Sequence, residues 1–119
     1  MSERTDKDFL SDIQEAARRI AAYIAAMPYE AFLGDTKTQD AVIRNLEIIG
    51  EATKNLSTEL CAKYPDIPWK SMAGVRDRLI HDYFGVNLDI VWHIIIVELP
   101  DVASRIEEII RNETFWGPE

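Results

Sequence analysis

Two arginines, two aspartates, one histidine and one tyrosine occur within eight consecutive positions of the sequence. They include the pattern Arg76-x4-His81-x-Tyr83, with Asp77 directly after the first arginine. An arginine guanidinium is a permanently charged, planar donor that binds phosphate well. A histidine can accept and donate protons near neutral pH. The two residue types together suit cleavage of an RNA phosphodiester bond, where the neighbouring 2′-hydroxyl is a built-in nucleophile.

The same residues also permit an interpretation without chemistry, because charged runs are usually solvent-exposed helix faces. Arg78 and Asp82 are four residues apart, a spacing that favours a simple ion pair on a helix surface. His81 could act only as a favourable positive charge near the C-terminus of a helix. The other histidine, His93, lies in an apolar segment, and we expect it to be packed or at an interface rather than catalytic.

The geometry of the pattern depends on the helix that carries it. The segment from Trp69 to Tyr83 is predicted to be one helix, with Gly85 as its stop. Five residues turn an α-helix by about 500°, which leaves Arg76 and His81 roughly 140° apart around its axis. Arg76 and Tyr83 are seven residues apart and would share a face. Convergence of Arg76 and His81 on one phosphate therefore needs an irregular helix end or a second copy of the site in a homodimer.

No set of residues has the spacing of a metal site. The chain has two histidines and one cysteine, and it contains neither paired His/Cys ligands nor an HExxH sequence. We therefore expect no metal and no cofactor, so that the chemistry would be metal-independent. Cys61 lies in a predicted helical stretch and is interpreted as a core or boundary residue rather than a nucleophile.

Hydrophobic spacing predicts an all-α chain. A first helix starts near a possible Thr5/Asp8 capping box and ends at Met27-Pro28. A second helix starts within Asp35 to Lys37, and Gly50 inside it indicates a close helix–helix contact. We predict an antiparallel bundle of about five helices in one domain, residues 1–119. The expected core includes Leu46, Ile49, Leu79, Trp92 and Ile95.

The most apolar part of the chain is the segment from Leu88 to Leu99. Its apolar residues cover almost the whole circumference of a helix, which predicts burial on more than one side or an interface with a partner subunit. Asn87 can cap this helix, and Pro100 is expected to break it. Asp101 to Arg111 is predicted as a separate last helix, followed by a loosely held tail.

Composition limits the classes of function. The chain has 119 residues and a net charge of −8, and an acidic chain repels phosphate backbones at long range. This charge disfavours DNA as a partner and broad nucleic-acid binding through a basic face. The polar N-terminus lacks the apolar run of a signal peptide, and no stretch is long and apolar enough to span a membrane. We expect a cytoplasmic protein without membrane contact.

Around the Arg–His–Tyr pattern the sequence resembles the HepT-type proteins of the HEPN superfamily. Arg76-x4-His81-x-Tyr83 matches the R-x4-H-x-Y motif of that family at every defined position. The resemblance continues through the longer string YPDIPWKSMAGVRDRLIHDYFGVN, residues 64–87, and through the upstream string NLEIIGEA. It covers nearly the whole chain, from about Asp8 to Ile110.

The resemblance implies properties that the residues alone do not give. Members of the family are antiparallel helical bundles that dimerise with the active cleft at the interface, and many are metal-independent endoribonucleases that act as toxins. Their antitoxin is a minimal nucleotidyltransferase, which can transfer AMP to the motif tyrosine. Carried over by position, Arg76 would bind the scissile phosphate and His81 would be the acid/base. Asp77 would be the supporting polar residue, and Tyr83 would be a supporting residue and the AMP acceptor.

An alternative function of a different class stays open. The chain could be a non-catalytic module that only holds the nucleotidyltransferase or a nucleotide. The acidic net charge favours this alternative somewhat, since a ribonuclease usually presents a basic groove. The intact Arg76–His81 pair favours the enzyme, because a pure binding module has no need of it.

Overall fold

The described part of the chain is entirely helical in its regular structure. The structure is a computed structural model that describes residues 4–80 and 85–113. Within these ranges the only strand-like feature is a single antiparallel pairing of Ile80 with Val86. The helices are α1 (Asp6–Tyr23), α2 (Tyr29–Leu33), α3 (Thr36–Lys54), α4 (Thr58–Lys63), α5 (Trp69–Ala73), α6 (Val75–Leu79), α7 (Leu88–His93), a π-helical segment (Ile94–Glu98) and α8 (Leu99–Asn112). The all-α fold class predicted from the sequence is confirmed, although short helices raise the number of segments above the expected five.

Helix α1 begins where its capping signal predicts. The backbone N–H of Thr5 donates to Asp8 Oδ2 at 2.9 Å, which satisfies a donor that the helix itself cannot use. The apolar stripe of α1 is buried against α3 and α8. Helix α1 ends at Tyr23, earlier than the predicted Met27-Pro28, and a turn follows in which Ala26 has a φ of 59°.

Helix α3 is the central helix of the bundle, packed against α1, α2, α5 and α6. Asp35 caps it by accepting a hydrogen bond from the Thr38 N–H at 3.0 Å. Its predicted stripe is buried, and Thr53 satisfies its hydroxyl by donating to the Ile49 carbonyl at 2.7 Å. The core positions predicted from the sequence are confirmed for Leu46, Ile49, Leu79 and Ile95. Trp92 is only half-buried, with its ring against Tyr29 and Phe32.

Gly50 sits where α3 meets the junction of α5 and α6. A Cβ atom added at Gly50 would lie 3.0 Å from Val75 Cγ1 and 3.3 Å from the Met72 carbonyl oxygen. No side chain fits there without displacing a buried neighbour. The close helix–helix contact predicted at Gly50 is confirmed, and it fixes how near α6 lies to α3.

The predicted single helix from Trp69 to Tyr83 is wrong. The chain breaks at Gly74 into α5 and α6, and α6 ends at Leu79. Ile80 is extended, with φ −91° and ψ 128°, and the Leu79 carbonyl accepts a hydrogen bond from the Asn87 N–H at 2.8 Å. Backbone pairing of Leu79 and Ile80 with residues 86 and 87 therefore replaces continuation of the helix. Gly85, which was predicted to end the helix, has a φ of 87°, a backbone conformation suited to glycine.

Pro100 does not break the helix that precedes it, contrary to the prediction. Helix α7, capped by Asn87 as expected, continues through the π-helical segment into α8. Pro100 lies in the first turn of α8, directly after the π-helical segment. Of the two alternatives predicted for this apolar segment, an interface with a partner subunit stays a prediction, because Ile96 and Val97 are 44% and 58% exposed in the single chain.

The steric role of Gly50 is testable. Alanine has a higher helix propensity than glycine by about 1 kcal/mol, but the overpacking at Val75 costs roughly 1–3 kcal/mol. We expect Gly50→Ala to lower the free energy of unfolding by about 1 kcal/mol net in urea titrations followed by circular dichroism. Gly34→Ala is the matched control, since a Cβ at Gly34 would meet nothing closer than 3.9 Å.

The control variant should be neutral or slightly more stable. The double variant Gly50→Ala/Val75→Ala should lose less stability than the sum of the losses of the two single variants. The reason is that Val75→Ala removes the side chain that the new Cβ at residue 50 would overlap. A Gly50→Ala protein as stable as Gly34→Ala would contradict this account.

Candidate functional site

The arginine of the predicted motif lies on α6, a helix of five residues. Val75 and Leu79 are buried and anchor α6 against α3 and α7, while Arg76 and Asp77 are exposed. Gly50 sets the distance of this helix from α3, as described above. The anchored faces therefore present Arg76 and Asp77 to solvent in a fixed place.

Arg78 has a structural task. Its guanidinium donates to both carboxylate oxygens of Glu98, each at 2.8 Å, and to Ser71 Oγ at 3.0 Å. The hydrogen bonds from Arg78 hold the pKa of Glu98 below its ordinary value, and those to Glu98 raise the pKa of Arg78. Arg78 thus joins α6 and α5 to the π-helical segment. Asp82, the partner of Arg78 considered from the sequence, lies outside the described residues.

Arg76, by contrast, has no structural task within the described ranges. No side chain of residues 4–80 and 85–113 forms an ion pair or hydrogen bond with its guanidinium. It lies on the wall of a cleft of about 630 Å³, a volume in the range of clefts that bind small ligands. An exposed, uncompensated guanidinium beside a cleft is a ready binding group for an anion.

The cleft beside Arg76 is open and mostly polar. Its floor is the outer face of α3, one wall is the start of α1, and the other is the α5–α6 junction. On the α1 wall, Arg4 is already engaged, with Asp12 at 2.7 Å and its guanidinium over the Phe9 ring. The α3 floor carries charges of both signs, which are those of Arg44, Glu47, Glu51 and Lys54.

His81 and Tyr83, the other two residues of the motif, lie outside the described residues. The premise that placed them on a helix with Arg76 is wrong, because α6 ends at Leu79 and Ile80 is extended. The helix end is thus irregular immediately before His81. An irregular helix end was one of the two alternatives that would allow Arg76 and His81 to reach the same phosphate. The roles of Asp77, His81 and Tyr83 stay predictions.

His93 is neither packed nor buried in this chain. Its side chain is 59% exposed, and its Nε2 lies 3.5 Å from Glu98 Oε2, on the outer side of the Arg78–Glu98 pair. It neighbours the exposed Ile96 and Val97 in sequence, so an interface location stays a prediction.

The sequence analysis did not identify the charged floor of the cleft as a functional feature. The helical spacing already places Arg44, Glu47, Glu51 and Lys54 off the buried stripe of α3, a position typical of any solvent-exposed face. Only the packing of α1 and α5–α6 on either side of α3 turns this face into the bottom of a cleft.

Two general features of the described residues complete the site's surroundings. No three His, Cys, Asp or Glu side chains in residues 4–80 and 85–113 lie close enough to share a metal ion. None of the helices described is long and apolar enough to cross a membrane.

The sequence matches one protein family over most of its length. The family profile described as "Ribonuclease HepT-like" matches residues 13–109. The chain therefore belongs to the HepT-like ribonuclease family. No solved structure matches the chain.

Named relatives support the assignment over almost their full length. A protein of Methanocaldococcus jannaschii named "Putative RNase" is 48% identical over 112 residues, covering 94% of this chain and 93% of the relative. The "Probable ribonuclease HepT" of Thermococcus cleftensis is 44% identical over 106 residues, covering 89% of this chain and 96% of that protein. A "Putative RNase" of Caldanaerobacter subterraneus is 39% identical over 110 residues, covering 92% and 98%.

The Arg78–Glu98 pair predicts a pH dependence of stability. Arg78 lowers the pKa of Glu98 in the folded state, so the pair stabilises the fold above the ordinary carboxyl pKa of 4.5. That stabilisation is lost as the pH falls through the lowered folded pKa. We expect Glu98→Gln to lower the free energy of unfolding by about 1 kcal/mol at pH 7, since a half-exposed pair is partly screened.

The difference between wild type and Glu98→Gln should shrink as the Glu98 carboxylate becomes protonated in acid. The matched control is Glu107→Gln, which removes a carboxylate 3.8 Å from Arg111 on the surface of α8. Chemical denaturation across the acidic range measures both. A constant loss for Glu98→Gln at every pH would assign the effect to packing and reject the ionic account.

Proposed function

We propose that this chain is a metal-independent endoribonuclease that acts as the toxin of a toxin–antitoxin pair in the cytoplasm. Membership of the HepT-like ribonuclease family supports ribonuclease activity. The observation that carries the assignment to Arg76 is the contrast between two neighbouring arginines. Arg78 is held by Glu98 and Ser71, whereas Arg76 has a free guanidinium beside a cleft among the described residues.

In the proposed reaction, Arg76 binds the scissile phosphate and stabilises the negative charge that grows on its oxygens. The ribose 2′-oxygen attacks phosphorus, a new P–O bond forms, and the bond to the 5′-oxygen breaks. The 2′-hydroxyl loses a proton and the leaving 5′-oxygen gains one. His81 is the motif residue able to make these proton transfers near neutral pH, with Asp77 as a supporting polar neighbour.

We propose that the active form is a homodimer. Ile96 and Val97 are exposed, and with the half-buried Ile90 and the exposed His93 they form an apolar face on α7 and the π-helical segment. Such faces are often covered by a partner in solution. A two-fold interface would place the same residues of both copies against each other and bring two copies of the motif into one assembly.

The alternative is a non-catalytic module that binds a nucleotide or a nucleotidyltransferase. The carboxylates Asp12, Glu47 and Glu51 in the cleft and the net charge of −8 favour it, because they oppose a polyanionic substrate. A complex with the nucleotidyltransferase would form whether or not the chain is an enzyme. Only RNA cleavage by the purified chain separates the two functions.

The contrast between Arg76 and Arg78 gives a direct test of the active-site assignment. Arg76→Ala should lower RNA cleavage at least about 100-fold, without loss of thermal stability, because it removes a transition-state contact and no structural one. Arg78→Ala, the matched control, should lower stability by about 1 kcal/mol and retain cleavage below its melting temperature. The assay is cleavage of a labelled single-stranded RNA in EDTA.

His81→Ala should lower cleavage by a similar order, about 100-fold or more, as expected for the loss of a proton-transfer group. Arg76→Lys should also be poor, since an ammonium lacks the planar donor fork. Full cleavage by the Arg76→Ala protein, or cleavage lost only with Arg78→Ala, would reject the assignment.

We propose that the antitoxin is a minimal nucleotidyltransferase that transfers AMP from ATP to the Tyr83 hydroxyl. In that step the tyrosine oxygen forms a bond to the α-phosphorus of ATP, pyrophosphate leaves, and the phenolic proton is released. The added phosphate carries negative charge that could occupy Arg76 in place of RNA and repel an incoming backbone. The added base also blocks the cleft sterically.

Intact-mass spectrometry tests this control. After incubation with the partner and ATP, the mass of the chain should rise in AMP-sized steps while RNA cleavage falls in parallel. Tyr83→Phe should block both changes, because its ring has no hydroxyl to accept the group. An unmodified Tyr83 in a fully neutralised complex would point to steric inhibition by the partner instead.

A further inference from the structure

The floor of the cleft beside Arg76 carries charged groups that have no partner in the described part of the chain. Arg44, Lys54 and Arg76 form no ion pair or hydrogen bond through their side chains there, and neither do the carboxylates of Glu47 and Glu51. Several arginines elsewhere pair within their own helices, as Arg18, Arg19, Arg105 and Arg111 do. The cleft thus gathers three cationic donors and two carboxylate acceptors that have no side-chain partner in the described part of the chain.

The order of these charges along α3 is informative. The cations Arg44 and Lys54 lie at the two ends of the cleft floor, about 15 Å apart along the helix axis at the α-helical rise. The carboxylates Glu47 and Glu51 lie between them. A ligand that fits must therefore present negative groups at separated points and hydrogen-bond donors between them.

We propose that the α3 floor is a binding subsite for the single-stranded RNA that leads to the scissile phosphate. Arg44 and Lys54 bind phosphates of the strand, and Glu47 and Glu51 accept hydrogen bonds from ribose 2′-hydroxyls and base amino groups. A single strand exposes all of these groups at once. A duplex presents a dense row of phosphates, which the two carboxylates repel. This inference rests on the proposed function and extends it to the recognition of the substrate.

The charged residues that line the cleft explain how an acidic protein binds a polyanionic substrate. The net charge of −8 repels nucleic acid at long range, so affinity has to come from short-range contacts in a local site. The carboxylates make the site selective, because they give a favourable contact only to a strand with sugar and base donors. DNA lacks the 2′-hydroxyl and keeps the phosphate repulsion.

Binding of a labelled single-stranded RNA, measured by fluorescence anisotropy in the cleavage-impaired His81→Ala chain, tests the cations. Arg44→Ala and Lys54→Ala should each weaken binding about fivefold. Each should also flatten the slope of log affinity against log salt by about 0.7, the value for one phosphate contact on a single strand. Lys37→Ala is the matched control, since it removes one exposed lysine from the same helix outside the cleft.

The Lys37→Ala protein should keep the affinity and the salt slope of its parent. Arg44→Ala and Lys54→Ala proteins that bind like Lys37→Ala would overturn the subsite. For the carboxylates, Glu47→Ala with Glu51→Ala should raise the affinity for DNA of the same sequence and so reduce the preference for RNA several-fold. An unchanged preference would overturn the role of the carboxylates.

These outcomes are distinguishable from failure of the proposed function. A wild-type chain that cuts no RNA but needs Arg44 and Lys54 to bind it would reject the ribonuclease and support the subsite. In a cutting enzyme, Arg44→Ala should raise KM with kcat nearly unchanged, whereas Arg76→Ala should lower kcat. Cleavage that depends on Arg76 but has the same KM in Arg44→Ala as in Lys37→Ala would reject the subsite alone.

Discussion

The absence of a side chain at residue 50 is the constraint on which the site depends. An added Cβ would lie 3.0 Å from Val75 Cγ1, so α6 packs against α3 more closely than a side chain at residue 50 would permit. This closeness buries Val75 and leaves its neighbour Arg76 at the rim of the cleft whose floor is α3. The proposed chemistry on α6 and the proposed recognition on α3 are therefore held side by side by this packing, while the Arg78–Glu98 pair ties α6 to the π-helical segment.

Local signals in the sequence were enough to predict much of this arrangement. Helical spacing of apolar residues identified α1 and α3, and α3 begins within the predicted range Asp35 to Lys37. Asn87 caps α7 as predicted, because its side chain accepts hydrogen bonds from N–H groups two and three residues away. Gly50 was recognised from its low helix propensity within a strong helical pattern. These predictions succeeded because each depends on residues within about one turn of each other.

The errors come from interactions between residues distant in sequence. The end of α6 is set by pairing with residues 86 and 87, and Arg78 binds Glu98, twenty positions away in the sequence. No local pattern contains that information. The same holds for the cleft, because the charges of α3 acquire a function only through the helices packed on either side. The motif singled out Arg76 from the sequence, but only three-dimensional packing shows that Arg78 is held by Glu98 and Ser71.

The π-helical segment that joins α7 to α8 has a consequence for how the chain tolerates changes in length. A π turn holds one residue more than an α-helix needs to cover the same arc, so it behaves as a built-in insertion. Loss of one residue from this segment would restore α-helical winding and leave the buried faces of α7 and α8 in phase. One residue lost from the middle of α3 would instead rotate half of its stripe by about 100° out of the core. Among relatives, we therefore expect single-residue gaps to be compatible with the fold near residues 94–98 and incompatible with it in α3.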